Sequence, residues 1–303
     1  MNQETANQPK SNQGLEDDYI IDFGDILKSL LNQKYKIISL SLLSAVLSVI
    51  VALQLPIIYK SSALLNPASG NDASMTSSMG GLASLAGIRV GSKELDQVAI
   101  AIATVGSQEF FKNNLYDEVV LELVSTGWDS STNTLLYDTE NDLDYTNKEN
   151  LPSVQQAYNS FADMVIVLED DLTGMVTITA EHYSPYVAKK WIDLVINKIN
   201  LAMRNKEIEK SSLAIDYFES EMKNTTIQSM QKVFSELLKD QHTKLMLASV
   251  NKEYVLETIE PPVVAEKRFK PSRARFCIIF TFIGGLLSLF FGYFYDKTYK
   301  FFN

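Results

Sequence analysis

Five acidic residues raise the first chemical question. Asp138, Glu140, Asp142, Asp144 and Glu149 fall at positions 1, 3, 5, 7 and 12 of a calcium-loop frame. That frame needs glycine at its sixth position for the sharp turn, and Leu143 stands there. No clear pair of helices flanks the run, so a solvated acidic loop is expected over 138–149. Ser229 and Lys232 have the spacing of a serine–lysine nucleophile pair. They lie inside a predicted helix, and the companion motifs of that chemistry are missing. Cys277 is the only cysteine, which excludes an internal disulfide and a multi-cysteine metal site. The two histidines, His182 and His242, stand sixty residues apart, a poor basis for histidine metal coordination. Neither a glycine-rich phosphate loop nor a nucleophile elbow occurs. No catalytic residue, metal site or cofactor is therefore expected, and the chain is read as a non-enzyme. With 37 Asp and Glu against 27 Lys and Arg, it lacks the basic balance of a nucleic-acid binder.

Small residues at regular spacing suggest a different kind of chemistry, that of helix packing. Gly284, Ser288 and Gly292 recur every four residues, as do Ser44, Ser48 and Ala52. In lipid such stripes let helix backbones approach closely, since apolar burial cannot drive association there. The plainer reading is ordinary membrane-helix composition, which is rich in Gly and Ser. The functional reading packs the two helices together or joins neighbouring subunits. Both stripes lie in segments free of charge, Ile37–Tyr59 and Phe276–Tyr295. Each is close to the ~20 residues needed to cross a ~30 Å hydrocarbon core. A signal peptide is a poor alternative for the first, because a long polar tail precedes it and no small-residue cleavage pattern follows. The second ends in an aromatic cluster, Phe290, Phe291, Tyr293, Phe294 and Tyr295, as an interfacial belt would.

Charge next to the spans predicts topology. Lys28, Lys34 and Lys36 precede the first span and Lys60 follows it, which places the N-terminus in the cytoplasm. Two crossings return the C-terminus there and leave the middle outside. The predicted order is a cytoplasmic tail over 1–36, a first span over 37–58, an outer domain over 59–275, a second span over 276–295 and a short tail over 296–303. Lys267, Arg268, Lys270, Arg273 and Arg275 then lie on the outer side, against the charge rule. Long domains translocate largely regardless of charge, and these side chains can reach outer headgroups.

Within the middle, YKSSALL (59–65) reads as a strand, and a stretch of small residues after it as a loop. From Ser92, a plausible N-cap, Leu95, Val98, Ile102 and Val105 predict an amphipathic helix running to Leu115. VIVLEDDLTGMVTITAEH reads as a β-hairpin. Ser184 to Met222 has no interior proline or glycine, and Pro185 stands where a first helical residue needs no N–H. An apolar residue recurs at every seventh place: Val187, Leu194, Leu201, Ile208, Ile215 and Met222. Lys198, Asn205, Ser212 and Glu219 interrupt the companion positions, so a full coiled-coil seam is not expected. The helix would be about 57 Å long and would project from a compact base. Thr225 and Gln228 suggest a capping box for a second helix to about Val250, giving a helical hairpin over about 185–250. EYVLETIE reads as a returning strand, followed by a proline-rich exit over 261–271 that contains Pro261, Pro262 and Pro271.

Three segments together resemble the Wzz chain length determinants, the polysaccharide co-polymerases of bacterial inner membranes, here without a fused tyrosine kinase domain. DDYIIDFGDILKSLLNQKYKIIS with LPIIYKSSALLNP resembles the family's entrance. VIVLEDDLTGMVTITAEHYSPYVAKKWIDLVINKIN resembles its hairpin and long helix. NKEYVLETIEPPVVAEKRFKPSRARFCIIFTFIGGLLSLFFGYF resembles its exit, with prolines, basic cluster and Gly284–Gly285 in order. The resemblance implies an α+β fold: two transmembrane helices enclosing a periplasmic α/β base with a protruding helical hairpin. It implies a ring-shaped homo-oligomer that sets the length of lipopolysaccharide O-antigen, or of a related lipid-linked glycan. The implied partners are a Wzy-type polymerase and an undecaprenyl-linked glycan. The structural residues expected to matter are Pro261, Pro262 and Pro271 at the exit, Gly284, Gly285, Ser288 and Gly292 in the span, and the Val187–Met222 stripe. The alternative is a membrane adaptor for capsule export that works with a separate tyrosine autokinase.

Overall fold

The computed structural model describes residues 33–68, 97–137 and 150–302, with side chains up to 291. The acidic run 138–149, Ser92, Leu95 and the tail before Gln33 lie outside the described residues. The chain divides into two compact units, Met1–Leu55 with Ser272–Asn303, and Pro56–Pro271.

The first unit is a pair of apolar helices, α1 (Lys34–Gln54) and a C-terminal helix over Arg273–Phe302. Both are long and apolar enough to cross a membrane, with mean hydropathy 2.3 and 2.0. The C-terminal helix runs on through the residues expected to form a separate tail. Lys297 and Lys300 extend its end without any glycine or proline to stop it.

The second unit is α+β. Its sheet is formed by β1 (Tyr59–Pro67), β4 (Val165–Glu169), β5 (Val176–His182) and β6 (Leu256–Glu260), in the order β4-β5-β1-β6. Every neighbouring pair is antiparallel. Side chains alternate sides along a strand. Ser61, Ala63 and Leu65 on β1, and Val176, Ile178 and Ala180 on β5, are accordingly buried on one face. The β4–β5 turn is closed by Asp170, whose carboxylate accepts the Leu172 and Thr173 N–H groups at 3.0 and 2.9 Å. The Thr173 N–H is the main reason its pKa lies below the usual carboxylate value. Gly174 supplies the positive φ of 68° that the turn requires.

Short helices cover the buried face: α2 (Gln97–Val105), α3 (Gln108–Phe110), α4 (Tyr116–Leu123) and α5 (Val154–Met164). The single helix expected through Leu115 is broken after Val105. The Ser107 hydroxyl accepts the Phe110 N–H at 3.2 Å and caps a new start. A π-helical turn, Phe111–Leu115, then leads into α4. Between α4 and α5, β2 (Gly127–Asp129) and β3 (Thr134–Leu136) form a small separate hairpin.

The long helix α6 (Pro185–Asn224) and α7 (Gln228–Val250) make the helical hairpin. The first half of α6 lies on the sheet and buries Trp191, Ile192, Val195 and Ile199 completely. Its ring stack joins Trp191 to Phe161 at 5.3 Å and Phe161 to Phe111 at 5.2 Å. At 40 residues, α6 extends about 60 Å, and its second half packs on α7, where the Phe218 ring meets Phe234. The final helix, Arg273–Phe302, is α8.

Thr225 does not cap α7. Ile227 is the N-cap, with no side-chain hydrogen bond, and Gln231 instead reaches the Thr225 carbonyl at 3.0 Å. A capping box does form at Ser153 and Gln156 on α5, where the same serine-to-glutamine spacing stands.

Candidate functional site

In the span unit, the close approach of α1 and α8 is carried by small residues. A Cβ added at Gly284 would overlap the Ser44 hydroxyl and come within 2.5 Å of the Ser44 Cβ. At Gly285 the same addition meets only Ser41 Oγ, at 3.7 Å. Ser48 and Ser288 are buried between the helices. None of these hydroxyls is left unpaired in an apolar setting. Ser44 donates to the Ser41 carbonyl at 2.9 Å, Ser48 to Ala45 at 2.7 Å and Ser288 to Gly285 at 2.7 Å. The seam is therefore polar in composition, with each of these serine hydroxyls satisfied by a carbonyl of its own helix. Gly292 continues α8, and its surroundings lie outside the described residues.

In the 56–271 unit, the chain is stitched where it arrives and departs. The Ile58 carbonyl accepts the Phe269 and Lys270 N–H groups at 2.8 and 3.2 Å, and the Ile58 N–H donates to the Lys270 carbonyl at 2.9 Å. Higher up, the Ser61 hydroxyl donates to the Val263 carbonyl at 2.8 Å. The proline-rich exit thus runs down β1 beyond the end of β6. Pro261 is exposed, Pro262 buried and Pro271 half-buried. Proline lacks a ladder donor, which suits a segment that bonds β1 at only a few points. Lys270 does not hang free: its ammonium pairs with Glu181 of β5 at 2.6 Å.

A second clamp holds β6 to α6. Asn200 is buried. Its Oδ1 accepts the Val255 and Leu256 N–H groups at 2.9 and 3.0 Å, and its Nδ2 donates to the Leu256 carbonyl at 2.9 Å. One amide thereby fixes the returning strand on the long helix.

The six residues at seven-residue spacing on α6 do not share one environment. Val187 and Ile215 are buried, Leu194 and Ile208 pack against the core from its rim, and Met222 is half-buried. Leu201 is 43% exposed. A strict heptad drifts about 20° per repeat on a straight helix, so the stripe leaves the sheet as it climbs. Further up, the contact line is Ile208, Ser211, Ile215, Phe218 and Met222, a true alternation of three and four. Ser211 is fully buried, and the Phe218 ring stacks on Phe234 of α7 at 6.3 Å. A two-position seam therefore exists here, its second position held by Ser211 and Phe218 rather than Ser212 and Glu219.

His182 is no metal ligand. The Ser184 N–H donates to its Nδ1 at 3.0 Å, so the ring proton sits on Nε2 and faces the Glu122 carbonyl at 3.1 Å and Ser125 Oγ at 3.3 Å. The Glu122 carboxylate accepts Lys190 Nζ at 2.6 Å and the Trp191 indole N–H. These bonds tie α4, β5 and α6 together. Burial pushes the His182 pKa below its ordinary 6.5, against the opposing pull of the Glu122 carbonyl and carboxylate. The unfolded chain takes a proton near pH 6.5 and the folded one resists it. Stability is therefore expected to fall as pH drops below about 6.5, by up to ~1.4 kcal/mol per pH unit for one proton. Denaturant unfolding of the full chain at pH 7.5 and 5.5 checks this. His182→Gln should flatten the dependence, and an unchanged slope would contradict the assignment.

Among the described residues, no cluster of His, Cys, Asp and Glu could hold a metal ion. Ser229 and Lys232 are exposed on α7, and no hydrogen bond joins them among the described residues. What the structure offers is two packed apolar helices, a stitched joint and a long hairpin.

Comparison with known proteins bears on this arrangement. Residues 20–117 match the family described as Wzz, chain length determinant protein. No curated protein sequence matches the chain. The similar solved structures include two polysaccharide co-polymerases. One is a full-length bacterial polysaccharide co-polymerase, at TM-score 0.42 and 10% identity, over 93% of this chain and 99% of its own. The other is a fragment of WzzB, a polysaccharide co-polymerase from Salmonella Typhimurium, at TM-score 0.29 and 12% identity, over 71% of this chain and 100% of its own. The stretch that matches the Wzz chain length determinant model takes in α1, β1, α2, α3 and the start of α4.

Proposed function

We propose that this protein is a non-enzymatic, two-pass inner-membrane regulator that sets the length of lipopolysaccharide O-antigen, or of a related lipid-linked glycan. In this reading both termini are cytoplasmic and residues 59–275 lie in the periplasm. The carrying observation is the match of residues 20–117 to the chain length determinants. The two apolar helices, one at each end of the α/β unit, support it.

The mechanism is one of scaffolding. Several copies form a ring beside a Wzy-type polymerase, and the ring's geometry limits how far the undecaprenyl-linked chain grows. The hairpin supplies a surface for such assembly. Leu213 and Tyr217 of α6, and Met230 and Val233 of α7, are exposed, although apolar groups of this size gain from cover. Neighbouring subunits would provide that cover along the hairpin. Asn200 holds the returning strand of the base to α6, so contacts made high on α6 fix the spacing of the bases.

Images of detergent-purified particles should show closed rings. Leu213→Glu with Tyr217→Glu should shift them to smaller species, with subunit association weakened about a hundredfold or more if each buried apolar side chain contributes about 1.5 kcal/mol or more. Monomers in the wild type would count against the scaffold.

A further inference from the structure

One end of the sheet carries aromatic and basic side chains on both of its faces. At that end Tyr59 of β1 pairs with His182 of β5. Tyr59 and Lys60 are successive strand residues and point to opposite faces. On the helix-covered side, the Tyr59 ring meets Trp128 edge-on with centroids 5.7 Å apart, and Trp128 meets Tyr186 at 6.1 Å. On the other side, the Lys60 ammonium lies 4.9 Å from the centre of the Phe269 ring, and that of Lys270 lies 5.3 Å from it. Tyr186 is 51% and Phe269 46% exposed.

Trp128 is brought there by the β2–β3 hairpin. Its indole N–H donates to Asn133 Oδ1 at 3.0 Å, which fixes the ring. The charges nearby are unevenly matched. Glu181 is taken by Lys270, and Asp129 accepts from Ser131 and Thr132. Glu266 is exposed, and so are Lys267 and Arg268, which join no ion pair among the described residues.

Rings and long basic side chains side by side are what a boundary between hydrocarbon and water selects. The chain also limits how far this rim can stray. Tyr59 stands five residues beyond Gln54, where α1 ends, and Phe269 four before Arg273, where α8 begins. At no more than about 3.5 Å per residue, the two linking segments measure at most about 18 Å and about 14 Å.

We propose that this rim docks on the phosphate headgroups of anionic phospholipid in the membrane that the helices cross. Lys267 and Arg268 bind the phosphates, while Trp128, Tyr186 and Phe269 seat at the glycerol level. This rests on the membrane-spanning reading of α1 and α8, not on the glycan assignment.

The full chain in lipid nanodiscs tests it. The chain has two tryptophans, and Trp191 is fully buried, so the difference between wild type and Trp128→Phe isolates Trp128. In phosphatidylglycerol-containing discs, a nitroxide on the lipid headgroup should remove most of the Trp128 emission, and aqueous iodide little of it. Lys267→Ala with Arg268→Ala should reduce that quenching to the value found in pure phosphatidylcholine discs. Headgroup quenching no greater for wild type than for Trp128→Phe would overturn the proposal, as would equal quenching in both lipids. Shielding of Trp128 from iodide by soluble polysaccharide, with no headgroup quenching, would overturn it in favour of a glycan platform.

Discussion

Gly284→Leu is expected to force the two apolar helices apart. Even a single Cβ at this position collides with Ser44, whose own Cβ would be 2.5 Å away. That neighbour is no flexible tip: the clash reaches the root of the side chain, so relief requires moving a helix. Overpacking of this kind typically costs about 1–3 kcal/mol, and in lipid no apolar burial offsets the lost contact. Cys277 offers a readout, because its Sγ lies 4.0 Å from the Ser48 carbonyl across the seam. With Ser48→Cys introduced, oxidation in membranes should link the helices in the parent and fail in Gly284→Leu. Gly284→Ala should show a partial loss, restored by Ser44→Gly. Gly285→Ala should be mild, since the nearest atom to its added Cβ is at ordinary contact distance, 3.7 Å. Unchanged linking in Gly284→Leu would show that the seam does not depend on this glycine.

Asn200→Ala should be the most damaging small substitution in the 56–271 unit. It strands two N–H groups and one carbonyl at Val255 and Leu256, both of them buried. An unsatisfied buried polar group costs about 1–3 kcal/mol, so a total of about 3–5 kcal/mol is expected after partial relaxation. Asn200→Asp should fare no better, because it loses the donor to Leu256 and buries an unpaired charge. Lys198→Ala, two residues away, removes only a partly exposed pair with Glu118 at 2.7 Å. It should change stability by less than about 1 kcal/mol. Denaturant unfolding followed through Trp191 emission separates these cases. A loss in Asn200→Ala no larger than in Lys198→Ala would refute the clamp.

The parts legible in the sequence were those that depend on local composition or period. Two charge-free stretches gave the apolar helices, β-branched runs around Asp170–Gly174 gave a hairpin, and an unbroken run from Pro185 gave the long helix. The break after Val105 was less visible, although Gly106–Ser107 is a stop-and-cap signal. The Ser153–Gln156 capping box carries the serine-to-glutamine spacing in its sequence, while the Thr225–Gln228 pair has the same spacing without the geometry. On α6, a seven-residue rule selected Leu201, which points out, and passed over Ser211 and Phe218, which point in. A three-four count through Ile208, Ser211, Ile215, Phe218 and Met222 finds the line.

The joints were not legible, for a physical reason. Asn200 with Leu256, Lys270 with Glu181, and Glu122 with Trp191 join residues more than fifty positions apart. Each pair becomes meaningful only once the sheet order brings its elements together. A buried asparagine in an otherwise apolar helix face is a hint that a backbone needs it, but it does not say which one. The basic cluster after Glu266 shows the same limit. It read as a run of headgroup contacts, whereas Lys270 is folded back on β5 and Lys267 and Arg268 remain outward.

The central claim, that this chain sets glycan length, is tested most directly by the O-antigen ladder of a strain lacking its gene. The account predicts that a narrow cluster around one modal length becomes a broad, unregulated ladder on a gel, and that the cluster returns with the wild-type gene. A ladder that keeps its modal length without the gene would contradict the account.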